Sequence, residues 1–445
     1  METNQKKGRG IALLPIGIFV LLYLGTGILF EYILKVPMGF YNIPIIVVFL
    51  VAILVASIQN KALSIDEKVA LMAKGVGDKN IMYMLLIFLE AGIFVGVVGR
   101  GSAESVAYFM LSVIPPQFSV AVLFVVACFV SLSMGTSVGT ITLITPIAIP
   151  LAAGSGFAPA LCVGAVMGGA MFGDNLSFIS DTTIAACNGQ GCEMKDKFRE
   201  NFKIAVPAAV VALILTTVLS LHDYAGASVI KDYDLIQIIP YVLVLIGGII
   251  GINVFLVLLI GIISGAIIML ATGAVTFVDL LGNMGSGAAG MFETAMVAVL
   301  VAALCALVRE YGGFDALLNA IFKVFRGKKN GQLGMGVLVA AMDIATANNT
   351  VAIVMANPIA SDMAKSYGVT PRKTASLMDT FSCIMQGILP YGAQMLVAIS
   401  AAAEMGCAIS AFEIIPKMFY PFLLLISSLL FIYVIPDKKA TKVAE

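Results

Sequence analysis

Uninterrupted apolar runs cover residues 11–34, 42–60, 81–99, 202–220, 235–252, 253–272, 291–309 and 411–435. Each is long enough to cross a hydrocarbon layer as a helix, which takes roughly 20 residues for about 30 Å. Four further apolar stretches, 118–152, 159–186, 331–362 and 374–400, are broken near their middles by polar and glycine-rich residues. Unwound backbone at membrane depth leaves N–H and C=O groups without partners, so it is tolerated only where protein, water or a ligand satisfies them. These four interrupted stretches are where function is expected. The run 11–34 is too long for a signal-peptide core and no Ala-x-Ala pattern follows it, so it reads as a retained first helix.

Composition narrows the class. Of 445 residues, 60% are apolar and 12% charged, with a mean hydropathy of +1.04. No soluble globular domain has that balance. About ten spans with short loops fill the chain, leaving no room for a separate catalytic domain. Lys plus Arg and Asp plus Glu are equal at 26 each, so there is no basic field to hold nucleic acid. The cysteines lie mostly inside apolar runs, Cys187 and Cys192 are spaced too widely for a C-x-x-C motif, and the single histidine, His222, is distant. Neither a disulfide framework nor a structural metal site is implied.

Basic residues set the orientation. They cluster at Lys6, Lys7 and Arg9; at Lys61, Lys68, Lys74 and Lys79; at Lys195, Lys197, Arg199 and Lys203; at Lys323, Arg326, Lys328 and Lys329; at Lys365, Arg372 and Lys373; and at Lys438, Lys439 and Lys442. All can be cytoplasmic together only if 118–152 dips in from outside and 331–362 from the cytoplasm, both as re-entrant hairpins. Segments 159–186 and 374–400 then cross as broken helices, giving ten crossings with both termini cytoplasmic. The charge run from Glu193 to Lys203 reads as a solvated cytoplasmic linker.

Self-similarity supports the same plan. SMGTSVGTITLITPIA at 133–148 resembles ATANNTVAIVMANPIA at 345–360, with Pro146 matching Pro358, 212 positions later. GDNLSFISD at 173–181 resembles MDTFSCIMQ at 378–386, matching Asp174 to Asp379, Ser177 to Ser382 and Asp181 to Gln386. An odd number of crossings per half turns the second copy upside down. The expected fold is an all-α polytopic membrane protein of about ten transmembrane helices in two inverted repeats, 1–220 and 235–435, each with a re-entrant hairpin and a broken helix. Segments 103–115 and 314–325 precede the hairpins at matching positions and are expected to lie in the interface. Inverted repeats with interrupted helices are the architecture of secondary transporters.

The residues at the interruptions are of one chemical kind. The first half offers Thr136, Ser137 and Thr140 in the hairpin and Asp174, Asn175, Ser177, Ser180, Asp181, Thr182 and Thr183 in the broken helix. The second offers Thr346, Asn348, Asn349 and Thr350, then Asp379, Thr380, Ser382 and Gln386. Hydroxyl, amide and carboxylate oxygens suit a hard cation, and the absence of His and thiolate clusters argues against transition metals. Sodium or proton is the favoured ion, with sodium expected among Asp174, Ser177, Asp181, Asn348 and Asn349; no cofactor is expected beyond transported Na+ and H+.

An ionised Asp mid-membrane costs at least about 2.5–3.5 kcal/mol, so it should carry a proton or a cation. Asp181 is the best candidate because its matched residue, Gln386, is uncharged; Asp174, Asp379 and Asp343 follow. Asp174 and Asp379 have an equal alternative as caps of the half-helix after each break. Glu90 in the third span has a functional reading and a structural one, pairing with Arg100 or Arg309. A membrane aspartyl protease would need a carboxylate dyad but has no use for hairpins, and a channel would need an open pore.

At GDNLSFISDTT (173–183) the sequence resembles the NhaC-type sodium/proton antiporter family, whose signature is Gly-Asp-x-x-Ser-x-x-Ser-Asp-Thr-Thr, and IAACNGQGCEMKDKFREN (184–201) is similar to that family's cytoplasmic loop. The resemblance spans nearly the whole chain. It implies a homodimer in a bacterial inner membrane that exchanges cytoplasmic sodium for external protons by an elevator movement. Many relatives have Pro after the first signature Ser, where Phe178 stands here. The same family includes exchangers of small organic acids and amino-acid carriers, so a small-molecule substrate is the alternative; backbone N–H groups from Asn348 to Thr350 would take its carboxylate.

Overall fold

The computed structural model describes residues 9–36, 44–178, 180–224 and 232–434, and no strand occurs among them. Lys6, Lys7, Lys438, Lys439, Lys442 and both termini lie outside the described residues. The first half runs α1 (Leu14–Ile28), α2 (Ile45–Gln59), α3 (Ile65–Val76), α4 (Lys79–Val113), α5 (Ser119–Met134), α6 (Ser137–Ser155), α7 (Pro159–Leu176), α8 (Asp181–Gln190) and α9 (Met194–Asp223). The second runs α10 (Leu235–Ile249), α11 (Val254–Ala271), α12 (Phe277–Gly290), α13 (Phe292–Glu310), α14 (Gly313–Val324), α15 (Lys328–Thr346), α16 (Asn349–Tyr367), α17 (Pro371–Ile388), α18 (Ala393–Glu404), α19 (Ala411–Ile414) and α20 (Phe419–Tyr433). Nine helical stretches among the described residues are long and apolar enough to cross a membrane, or ten if α19 and α20 form one bent span.

The four interrupted stretches are α5–α6, α7–α8, α15–α16 and α17–α18, as the apolar pattern predicted. Gly135 closes α5 in the left-handed region (φ 69°), and Thr136 caps α6, its Oγ1 accepting the Gly139 N–H. In the second hairpin Ala347 takes the same left-handed turn (φ 48°) and Asn348 caps α16, its side chain accepting the Val351 N–H. An alanine there is strained, since Cβ crowds the carbonyl that follows, by roughly 1–2 kcal/mol.

One spacing relates the halves. Ser137 and Asn349 open the second hairpin arms, Pro159 and Pro371 the broken helices, Asp181 and Ala393 the pieces beyond the breaks, and Ile65 and Phe277 a shorter helix, each pair 212 positions apart. This corrects the match of GDNLSFISD to MDTFSCIMQ, which pairs Asp174 with Asp379 at 205. The structural counterpart of Asp174 is Gln386, that of Ser177 is Leu389 and that of Asp181 is Ala393. The slip is seven residues, nearly two helical turns, so both registers present almost the same face about 10 Å apart along the axis. Asp181 keeps an uncharged counterpart in either register.

Packing follows the same exchange between halves. α3 packs on α13 and α12 on α4; α8 packs on α16 and α18 on α6. Each broken helix thus delivers its second piece to the other half's hairpin. Close approach depends on small residues: a Cβ on Gly92 of α4 would lie 2.1 Å from the Gly287 carbonyl oxygen of α12. Helix α12 was not foreseen, because its Gly-rich sequence, FVDLLGNMGSGAAG, lies outside the long apolar runs.

The segment Glu193–Lys203 is no solvated linker. It forms the first turns of α9, with Lys195 and Arg199 exposed but Lys197 and Asn201 buried. Gly99 (φ 65°) kinks α4 where the expected interfacial segment 103–115 approaches, and α14 forms over the corresponding 314–325.

Candidate functional site

The two hairpin turns and the first break meet at a cavity of about 70 Å3 that the second broken helix also reaches. Thr136, Ser137, Asp174, Ser180, Asp181 and Thr182 line it from the first half; Asn348, Asn349, Thr350 and Gln386 line it from the second. The breaks fall in the middle of helical stretches of 32 and 34 residues, so both turns sit at mid-depth in the bundle. Asn348 also lines a larger cavity of about 270 Å3 with Lys74, Asp78, Arg309 and Glu310.

Asp174 is held at both oxygens. Ser137 Oγ donates to Oδ2 at 2.6 Å and Ser180 Oγ to Oδ1 at 2.5 Å. Each hydroxyl is itself oriented: Gln394 Nε2 donates to Ser137 Oγ at 2.8 Å, and Ser180 Oγ lies 2.8 Å from Thr182 Oγ1 and accepts the Thr182 N–H at 3.3 Å. With the Ser180 proton committed to Asp174, the Thr182 hydroxyl is the donor in that pair. Asp181, by contrast, is exposed and makes no hydrogen bond or ion pair with a described residue.

The capping alternative for Asp174 and Asp379 does not hold. Both lie inside helices that precede the breaks; α8 is capped by Ser180, and α18 has no side-chain cap. The first residues of α6, α8, α16 and α18 all line the cavity. Four positive helix ends there favour negative charge.

The other expected residues, together with the cavity-lining Gln386, are tied into a buried polar layer. Ser177 Oγ donates to the Leu132 carbonyl at 2.8 Å. Ser382 Oγ donates to Asp343 Oδ2 at 3.0 Å and lies 3.3 Å from the Asn349 carbonyl, while Asp343 Oδ1 is buried without a partner. Gln386 Nε2 donates to the Ala347 carbonyl at 3.2 Å, bracing the strained turn, and its Oε1 has no partner. Asn175 Nδ2 donates to Asp379 Oδ2 at 3.2 Å, and Asp379 forms an ion pair with Lys197, both about 1% exposed. Asp379 is therefore already neutralised by a cation of the chain itself.

Lys197 and Asn201 are the site residues that the charge pattern concealed. Asn201 Nδ2 donates to the Asn175 carbonyl and Oδ1 at 2.6 and 2.7 Å, and its Oδ1 accepts Ser376 and Thr380 at 2.9 and 2.7 Å. Their signal was available: 197 and 201 continue the helical periodicity of Ile204, Ala205, Ala208 and Ala212, all buried. Tyr83, Met84 and Ile87 of α4 also border the cavity, and Tyr83 donates its hydroxyl to Asn253 Oδ1 at 2.7 Å. Glu90 pairs with neither Arg100 nor Arg309: its Oε2 is buried without a partner, and Arg100 donates to the Glu404 carbonyl at 2.8 Å.

The chain is similar to several known proteins. A Bacillus subtilis malate-2H(+)/Na(+)-lactate antiporter is 27% identical over 194 residues, 43% of this chain and 41% of that protein. The Na(+)/H(+) antiporter NhaC of Alkalihalophilus pseudofirmus is 27% identical over 213 residues, 48% of this chain and 44% of that protein. The chain thus matches less than half the length of either relative. The crystal structure of the Alcanivorax borkumensis YdaH transporter aligns over 83% of this chain and 89% of that one, with a TM-score of 0.45 and 16% identity. A model of the Na+/H+ antiporter family matches residues 13–221 and 228–435. The chain, a multi-pass membrane protein, belongs to the Na+/H+ antiporter family.

Proposed function

We propose that this protein exchanges sodium for protons, cytoplasmic sodium leaving as external protons enter, and that Asp181 is the group that holds one or the other. The observation that carries the reading is a small cavity, walled by oxygen donors from both halves, with two carboxylates of unequal status. Asp174 is tied at both oxygens, while Asp181 faces the cavity without a fixed partner. A carboxylate at membrane depth needs a proton or a cation, and a site that takes either but not both couples the two flows. The volume of about 70 Å3 suits an ion with a few waters. Sodium ligands on this reading come from Asp174, Asp181, Asn348 and Asn349, with Ser177 behind them. An elevator-type movement, a homodimer and a bacterial inner membrane belong to the proposal through the family resemblance.

A second reading has its own support. Four helix N-termini border the cavity and would receive a carboxylate, and a Bacillus relative is named for malate and lactate. Uptake into proteoliposomes under a sodium or proton gradient, with sodium, malate, lactate and amino acids as cargo, separates the two. Sodium-dependent proton movement with no organic cargo supports the first reading. Saturable counter-exchange of an organic acid or amino acid, with no exchange of the ions alone, replaces it with the second.

A further inference from the structure

The Lys197 ammonium occupies a shell made only of oxygen. Its Nζ donates to the Asn175 carbonyl at 2.8 Å, to Thr183 Oγ1 at 2.8 Å and to the Asp379 carboxylate. The Asn175 carbonyl belongs to the last turn of α7, where the break leaves carbonyls without intrahelical partners. A freed backbone carbonyl, a hydroxyl and a carboxylate are the ligand kinds that hold a hard cation. The shell is buried, and it adjoins the cavity wall, since its Asn175 directly follows the cavity-lining Asp174. It also occurs once: 212 positions away, the counterparts of Lys197, Asp379 and Thr183 are Ile409, Met167 and Met395.

We propose that Lys197 is a tethered cation: its ammonium permanently fills a monovalent-cation position beside the cavity, so that Asp379 is neutralised without a transported ion. Its consequence for exchange rests on the sodium/proton reading above: Asp379 takes no part in carrying cargo, and the carboxylates that face the cavity do so alone. Removing the ammonium should open the position to a free cation. A lysine retained only for packing predicts no such gain, because an apolar replacement would leave the Asp379 charge unpaired whatever salt is present.

The test is thermal unfolding of the purified full-length protein in detergent, in choline, sodium, potassium or lithium chloride at equal ionic strength. Lys197→Ala should melt lower than the unsubstituted protein in choline. In at least one of the small cations its melting temperature should then rise by about twice the unsubstituted protein's response or more, as linkage requires of a new site that only the folded state offers. Lys197→Met combined with Asp379→Asn should recover the midpoint in choline and lose the extra cation response. If Lys197→Ala responds no more than the unsubstituted protein, or if the double variant keeps the extra response, the proposal is overturned. Should Lys197→Ala fail to fold, the double variant decides: it must fold and respond to sodium as the unsubstituted protein does, and its failure on either count also overturns the proposal. The assay reads stability, so a failure of sodium/proton exchange in proteoliposomes is distinguishable from its result.

Discussion

The Asp174 carboxylate accepts the hydroxyl of Ser137 at 2.6 Å, fastening the end of one broken helix to the turn of the hairpin beside it. The same hydroxyl accepts the Gln394 amide at 2.8 Å from the opposite half, so a single serine joins both repeats at the cavity wall. With the amide donating, the serine proton has one place to go, and it points at the acid. Site geometry and the closure of the two halves are therefore one interaction.

Ser137→Ala removes a hydrogen bond to a charged group, worth about 1.5–3 kcal/mol, and strands the Gln394 amide. The half-saturating sodium concentration for exchange should rise by about tenfold or more, and Asn349→Ala should shift it in the same direction. Sodium titrations of exchange in everted vesicles check this; unchanged values for both would remove the hairpin turns from the site.

Asp181→Asn should abolish sodium-induced proton movement in everted vesicles while the protein still elutes as a folded species on gel filtration. Asp181 is exposed and makes no hydrogen bond, so its replacement by an uncharged isostere leaves packing alone. Exchange at the unsubstituted rate would refute the assignment.

Ala347 sits at φ 48°, in a conformation that glycine adopts freely. Ala347→Gly should stabilise the fold by up to about 1 kcal/mol, the strain relieved exceeding the added freedom of the unfolded chain. A lower melting temperature would mean that the alanine methyl contributes packing that outweighs its strain.

Gly92 and Gly287 let α4 and α12 meet backbone to backbone, since a Cβ on either would come within 2.1 Å of the other's carbonyl oxygen. Gly92→Val forces the helices apart and should destabilise by about 1–3 kcal/mol, read as a lower midpoint in a thermal melt, while Gly17→Val on α1, with open space around it, should change little.

Ala153 and Lys365 are 212 positions apart, both exposed at the far ends of the second hairpin arms. In a background without the partly exposed Cys128, Cys192 and Cys407, Ala153→Cys should label with an impermeant maleimide from outside and Lys365→Cys from the cytoplasm. Labelling of both from one side would contradict the inverted arrangement.

Much of this was legible in one dimension. The run SMGTSVGT betrays a turn inside an apolar stretch because glycine permits a left-handed backbone and the hydroxyl residues beside it can cap a new helix start, and the structure places the turn at Gly135 and Thr136. Asp174, Asp181, Asn348 and Gln386 were legible for the same reason and share a cavity. Lys197 was not. Counted as a positive charge near a span's end, it reads as an interfacial lysine, and only the position of α9 against α7 and α17 turns it inward.

Local chemistry along the chain was enough to specify helices, their interruptions and a duplicated plan, because apolar run length and breaker residues act within a few turns and need no knowledge of neighbours. Tertiary structure alone decided how the second broken helix is registered and which acid is neutralised from within. A seven-residue slip leaves a helix's face nearly unchanged, so MDTFSCIMQ matched convincingly two turns away from its true counterpart, and only packing against α15 and α18 breaks that near-degeneracy. The pairing of Lys197 with Asp379 joins residues 182 positions apart; its stability depends on exclusion of water by three helices, a condition that no single stretch of sequence contains.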